Sequence, residues 1–222
     1  MPNSGPSPAR EDYLKAIYHL GRGGRKVHTT ELARALSVSK PSVTAMVKRL
    51  AGEGLVDYSP RRGVRLAQSG RDATMQVVRR HRLLETFLVE VLGLDWSEVH
   101  EEAEVLEHHL YDRMVDAIDR VLGHPREDPH GHPIPDAEGR LRQRDLTPLQ
   151  DLGAGESGTV REVRTDTSER LQRWKELGLV PGADLCMRER QDLEDVMHID
   201  IGDRTIVTGT EGVEGVFVEL KS

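Results

Sequence analysis

Sulfur chemistry has little to work with in this 222-residue chain, whose only cysteine is Cys186. A lone thiol excludes an internal disulfide and any thiolate-rich zinc site. Long apolar runs are missing as well, so no membrane-spanning helix and no membrane partner are expected. Residues 1–8 lack the apolar centre of a secretory signal, which points to the cytoplasm. No nucleophile triad or phosphate-cradling glycine loop is evident. The remainder, with 36% hydrophobic and 31% charged residues, is the composition of a soluble globular protein with length for two or three small domains.

Charge is distributed unevenly. Residues 1–82 carry a net +10 and residues 83–222 a net −17. A basic N-terminal part on an acidic protein suggests a polyanionic partner for that part alone, provided a motif supports it. One is present. A helix starts at Ser7-Pro8 and runs through Tyr13, Leu14, Ile17, Tyr18 and Leu20 to the glycine-rich break at 21–24. A second helix is predicted over about 30–36 and a third from Ser39, with Pro41 in its first turn. Two strand-like runs at 55–58 and 63–66 flank a turn at 59–62. Two short helices, a tight turn and a β-wing spell a winged helix-turn-helix. Ser39, Lys40, Pro41, Ser42 and Thr44 stand where side chains enter a major groove, and Lys48, Arg61 and Arg62 suit phosphates.

Apolar residues then recur at helical spacing through Val77, Val78, Leu84, Phe87, Leu88 and Val91, a helix that holds His81 and Glu85 at i, i+4. After Gly93 the same period returns at Val99, Ala103, Leu106, Leu110, Met114, Ala117 and Val121, predicting one helix of about five turns. Glu102, His109, Asp112, Asp116 and Arg120 fall on its solvent side. His100, Glu104, Glu107 and His108 fall along the flank of the apolar stripe. A carboxylate there is costly unless paired or bound to a metal, and two carboxylates with an imidazole at i, i+3 and i+4 converge on one point. The bland alternative is a polar helix face rich in Glu and His, so this helix decides nothing alone. The apolar faces of these two helices exceed what the DNA module's small core can bury, which suggests a dimer interface.

Residues 123–158 are rich in Pro, Gly and charge and read as a linker, with His124, His130 and His132 as solvated histidines. Short strand-like runs beyond it, at 159–163, 184–190, 197–201, 205–208 and 216–220, with a helix around 168–177, predict a small β-barrel.

Together these features resemble the diphtheria toxin repressor family of metal-dependent transcription regulators, in its three-domain form. The likeness is carried by Glu11-Asp-Tyr-Leu14 with Ile17-Tyr18, by Arg80-His-Arg-Leu-Leu-Glu85, by the run from Val99 to His108, by His130-Gly-His-Pro-Ile-Pro135 and by Leu177-Gly-Leu-Val-Pro-Gly182. It implies a mainly α fold with small β elements: a winged helix-turn-helix over 1–70, a helical metal-binding and dimerisation domain over 71–142 with its linker from about 123, and an SH3-like (FeoA-like) domain over 150–222. It also implies a main metal site of Asp12, Glu104, Glu107 and His108 and a second of His81, Glu85 and His100.

The iron-sensing branch of that family has Met and Cys where this chain has Asp12 and Glu104. Carboxylates in place of soft sulfur favour Mn²⁺, with Fe²⁺ the alternative and other divalent ions able to bind in vitro. The manganese-sensing branch usually carries Glu where this chain has Lys15 and usually lacks a third domain. A protonated lysine is no ligand, which argues against a close two-metal site. The iron branch lends ligands from its third domain, and Asp166, Glu169 and Gln172 are near that segment here. The expectation is therefore a cytoplasmic homodimer that binds a palindromic operator when loaded with metal and represses metal-uptake genes. A metalloenzyme is disfavoured, because His100-Glu101 is followed by Glu104 rather than a second His, and Glu104-x-x-Glu107-His108 lacks the first His of the inverted motif. A metal-independent small-ligand regulator and a protein-binding adaptor built on the SH3-like domain also stay open on sequence alone.

Overall fold

The computed structural model describes residues 7–21, 24–165 and 167–221. The start of the chain through residue 6, two residues of the 21–24 break and Asp166 lie outside them. The chain gathers into two compact units: Met1–His81 with Glu107–Met114 and Pro135–Arg140, and Arg82–Leu106 with Val115–Ile134 and Leu141–Ser222.

The first unit begins with α1 (Pro8–Leu20), α2 (Thr29–Ala35) and α3 (Lys40–Gly52). Ser7 precedes Pro8 in extended conformation, and the fixed φ of proline suits the first helical turn. The helix stops at Gly21, whose N–H bonds the Ile17 carbonyl at 2.9 Å. At the start of α3 the Ser39 hydroxyl accepts from the Ser42 amide at 3.3 Å, so Ser39 is the cap its sequence position suggests. Strands β1 (Val56–Ser59) and β2 (Gly63–Leu66) pair antiparallel, Val56 opposite Leu66 and Ser59 opposite Gly63. Val27 adds a reciprocal backbone pair with Val64 at 2.8 Å. Gly63 is required there: its φ is +89°, and a Cβ would stand 2.6 Å from the Val27 carbonyl oxygen. Leu14, Ile17, Leu32, Val43, Val47 and Leu50 fill the core between the helices and the wing. Each fully buried aliphatic side chain is worth about 1.5–3 kcal/mol.

Helix α4 (Gln68–Glu90) gives its first part to this unit and its last part to the other. The predicted five-turn helix is not continuous. It consists of α5 (Val99–Leu106), a 3-10 turn at Glu107–His109 and α6 (Asp112–Val121). No proline or glycine explains the break. At the tighter winding of a 3-10 turn, successive side chains are set about 120° apart rather than 100°, and Glu107 and His108 each meet partners on α1. Apolar period alone could not foresee it. Leu106, Met114 and Val121 are exposed in the single chain, at 42%, 44% and 67%.

In the second unit β3 (Thr147–Pro148), β4 (Ser157–Val163), β5 (Asp184–Gln191), β6 (Val196–Ile201), β7 (Arg204–Thr208) and β8 (Val216–Leu220) form one antiparallel sheet ordered β3-β8-β4-β5-β6-β7. Helices α7 (Ser168–Leu177) and α8 (Thr210–Val213) accompany it. Gly178 ends α7 in the left-handed region at φ +82°. The core includes Leu149 and Leu152, which belong to the stretch read as linker. Isolated leucines among Pro, Gly and charge gave no period to detect. Trp174 is fully buried, and its indole N–H donates to the Gly212 carbonyl at 2.8 Å. Replacing it with alanine removes both the packing and the tie to α8. Trp174→Ala should cost about 3–5 kcal/mol in this unit, read by urea denaturation; a loss below about 1 kcal/mol would contradict this packing.

Candidate metal centre

On α1, Glu11, Leu14, Lys15 and Tyr18 share one face, so Glu11 and Lys15 are charges at core-facing positions and need partners. Both have them. Glu11 is 3% exposed and accepts from the Arg80 guanidinium at 2.6 Å through Oε1. Its other oxygen lies 2.8 Å from His108 Nδ1. Nδ1 is thus the nitrogen directed at a carboxylate already held by Arg80, and Nε2 is the ring atom left for other partners. Nε2 in turn faces Asp12 Oδ1 at 3.0 Å and Glu107 Oε1 at 3.7 Å. An imidazole oriented by a carboxylate, with its other nitrogen beside two more carboxylates, is the geometry of a supported metal ligand. Asp12, Glu107 and His108 each offer a ligand atom within 4.8 Å of the others.

Glu107 has no exposed surface. Lys15 Nζ stands 2.7 Å from its Oε1 and His81 Nδ1 2.6 Å from its Oε2. Burial pushes the Glu107 carboxyl up, but hydrogen bonds and charge from His81 and Lys15 outweigh it and hold the group below the usual carboxylate range. A depressed folded pKa means this carboxylate contributes stability above its unfolded pKa, a contribution lost as pH falls through the folded value.

Of the residues the resemblance assigns to the main site, Asp12, Glu107 and His108 meet in the first unit. Glu104 lies in the second, with an oxygen 3.6 Å from His100 Nε2. There Glu85 Oε1 is 3.0 Å from His100 Nδ1 and Glu85 Oε2 is 3.6 Å from His130 Nδ1. His81 belongs to the first unit. The supporting pair Glu11 and Arg80 was not assigned a role from sequence. Its signal was present in the buried-face position of Glu11.

Of the histidines read as solvated, His124 is exposed, whereas His130 and His132 need correction. Asp128 and His130 are buried, and His132 is half-buried. His130 Nε2 donates to the Trp96 carbonyl at 2.8 Å, and burial, which would lower its pKa, is outweighed by Glu85 so that it is raised. Asp128 Oδ1 accepts the amides of His130 and His132, both at 2.9 Å. Its Oδ2 faces His132 Nδ1 at 3.0 Å and Arg82 Nε at 3.6 Å. These contacts staple the loop around Asp128, beside the Arg82 guanidinium. Proline spacing concealed that, because an Asp-centred turn has no period.

The predicted DNA-facing residues lie on or beside α3 and at the tip of the wing. Ser39, Lys40, Pro41, Ser42, Lys48, Arg61 and Arg62 are exposed and Thr44 is half-buried. The Thr44 hydroxyl donates to the Lys40 carbonyl at 3.0 Å, so it is engaged within α3. Arg61 takes φ +68° in the turn that puts Arg62 at the tip.

Comparison with known proteins supplies the context. Three family models match in series: the iron dependent repressor N-terminal DNA binding domain over 7–64, the iron dependent repressor metal binding and dimerisation domain over 67–136, and the FeoA domain over 147–220. The iron-dependent repressor IdeR of Mycobacterium leprae is 31% identical over 221 residues, covering 94% of this chain and 96% of that one. The regulator MntR of Oceanobacillus iheyensis is 34% identical over 123 residues, 55% of this chain and 83% of the relative. A solved manganese-dependent transcriptional repressor in complex with manganese superposes with a TM-score of 0.89 at 36% identity, over 96% of this chain and all of that one. The structure of the manganese regulator SloR gives 0.78 at 31% identity, over 96% of this chain and 98% of that one.

Neighbouring residues on α1 should separate by role. Glu11→Ala leaves Arg80 charged and buried without its partner and should cost the metal-free protein about 3–5 kcal/mol. Asp12, whose side chain is 41% exposed, should cost only about 0–1 kcal/mol on Asp12→Ala. Urea denaturation in chelator reads both, and equal losses would refute the division into a supporting and a ligating carboxylate.

Proposed function

The chain belongs to the iron-dependent repressor family of metal-dependent transcriptional repressors, and we propose that the ion it reads is Mn²⁺. The observation that carries this reading is the donor set: Asp12 Oδ1, Glu107 Oε1 and His108 Nε2 converge with no sulfur among them. Hard oxygen donors with one imidazole favour Mn²⁺ over softer ions, and Fe²⁺ is the second reading because an iron-dependent relative matches over 94% of the chain. Bound there, a divalent cation supplies positive charge that the carboxylates and the imidazole share, and it acts as a template rather than a reagent. No catalytic role is assigned.

Glu104 is kept as a further candidate for this centre. His81, Glu85 and His100 are kept for a second one. The Arg80–Glu11 pair orients the imidazole so that its Nε2 faces Asp12 and Glu107. Asp12 is on the first helix of the DNA-binding module, and Glu107 and His108 follow α5. Ligation therefore links the module to that segment, and the conformer in which they meet gains population on loading. Operator binding and metal binding then strengthen each other reciprocally. Ser39, Lys40, Pro41, Ser42 and Thr44 would face base edges, and Lys48, Arg61 and Arg62 phosphates.

A homodimer on a palindromic operator is the assembly we infer. Val91, Leu92, Leu94, Val105 and Leu106 are between 42% and 66% exposed in the single chain, and apolar surface of this kind marks an interface. The division at 1–70, 71–142 and 150–222 is supported by the three serial family matches, whose gaps fall near the same positions. Among the described residues no helix is long and apolar enough to cross a membrane. We place the protein in the cytoplasm, repressing metal-uptake genes.

Fluorescence anisotropy tests the reading, using a duplex selected from a random-sequence library by the Mn²⁺-loaded protein. Binding should require Mn²⁺ and be lost in chelator, with anaerobic Fe²⁺ less effective. His108→Ala should abolish the metal response. Lys48→Ala and Arg62→Ala should weaken binding with little sequence dependence and each reduce the salt slope by about 1. Equal binding with and without metal would refute the proposal.

A further inference from the structure

Building on that reading of the centre, we propose that Lys15 is a tethered competitor of the metal. Its ammonium holds Glu107 in the metal-free chain and has to yield that oxygen before an ion can be bound. Lys15 thereby sets the metal concentration at which the repressor responds.

The competition centres on one carboxylate oxygen. Glu107 has two, and His81 Nδ1 occupies Oε2 at 2.6 Å. Oε1 is the oxygen that faces His108 Nε2, at 3.7 Å, and His108 Nε2 is the nitrogen that faces Asp12, at 3.0 Å. Lys15 Nζ lies 2.7 Å from that same Oε1. The ammonium therefore stands on the one Glu107 atom directed at the ligand space. Two cations drawn to one carboxylate oxygen repel each other, so occupancy by the ion and by Lys15 is antagonistic.

Arg80, another buried cation, behaves differently. Arg80 holds Glu11 Oε1, and Glu11 meets His108 on the Nδ1 side, away from the ligand atom. Arg80 supports the site, whereas Lys15 contests it. The side-chain type fits the contest: lysine is a strongly hydrated point charge on a flexible four-carbon stem, able to swing to water, whereas a guanidinium fork is held by its planar geometry. Without Lys15 the metal-free chain would keep a fully buried carboxylate with His81 on Oε2 and no ammonium on Oε1, so the same lysine that opposes the ion keeps Glu107 paired.

The test compares the full chain with Lys15→Met and Lys15→Gln. Metal affinity is read by competition with a fluorescent Mn²⁺ chelator, and metal-free stability by thermal unfolding followed by circular dichroism. Ordinary coupling energies change affinity by about 5- to 150-fold. Lys15→Met should bind Mn²⁺ about tenfold more tightly while its metal-free form melts at lower temperature. Lys15→Gln keeps a hydrogen-bond donor near Glu107 without the charge, and should tighten binding in the same direction with a smaller loss of stability. It carries the test if Lys15→Met does not fold. Unchanged or weaker Mn²⁺ binding by a folded Lys15→Gln, with the wild type binding Mn²⁺ normally, overturns the competitor role and leaves the metal-sensing reading intact. Failure of the wild-type chain to bind Mn²⁺ overturns both.

Discussion

A carboxylate with no water around it has to be shared among cations, and Glu107 is such a group. Its two oxygens are taken by Lys15 from α1 and His81 from α4, so three distant stretches of sequence are fixed around one side chain. The 3-10 turn at Glu107–His109 belongs to the same constraint. In the 3-10 turn these side chains are set about 120° apart rather than 100°, and both Glu107 and His108 reach partners on α1. The local winding yields to the electrostatics, because leaving a buried charge unpaired costs more than tightening one turn.

Next to this group stands a second chain of contacts with a different purpose. Arg80, Glu11 and His108 run in line, and the line ends at an imidazole nitrogen aimed at two carboxylate oxygens. On the proposed reading, the first arrangement competes with an ion for Glu107 and the second orients a ligand atom towards it, so the balance of the two sets the concentration at which metal binds.

Much of this was legible in the sequence. Helical and strand periods located the winged helix and the strands after residue 150 to within a residue or two, since those elements each bury one regular face. Glu107 and His108 were reachable because their flank positions and the family motif pointed the same way, and Asp12 through the family motif alone. What could not be read was aperiodic. The break after Leu106 is set by partners 92 and 97 residues away, Lys15 for Glu107 and Glu11 for His108. The turn built on Asp128 has no repeat, and Leu149 and Leu152 enter the second unit's core from a stretch whose composition is that of a linker. Glu11 and Lys15 were the readable signal passed over: charges on a core-facing stripe announce partners even when the sequence does not say which.

The most direct test of the centre is diffraction from crystals grown with Mn²⁺, with an anomalous map collected at the manganese absorption edge. A peak bonded to Asp12, Glu107 and His108 is predicted, with His108 Nδ1 still on Glu11 and Lys15 Nζ withdrawn from Glu107 Oε1. A manganese peak elsewhere, with the Lys15–Glu107 pair intact, would contradict it.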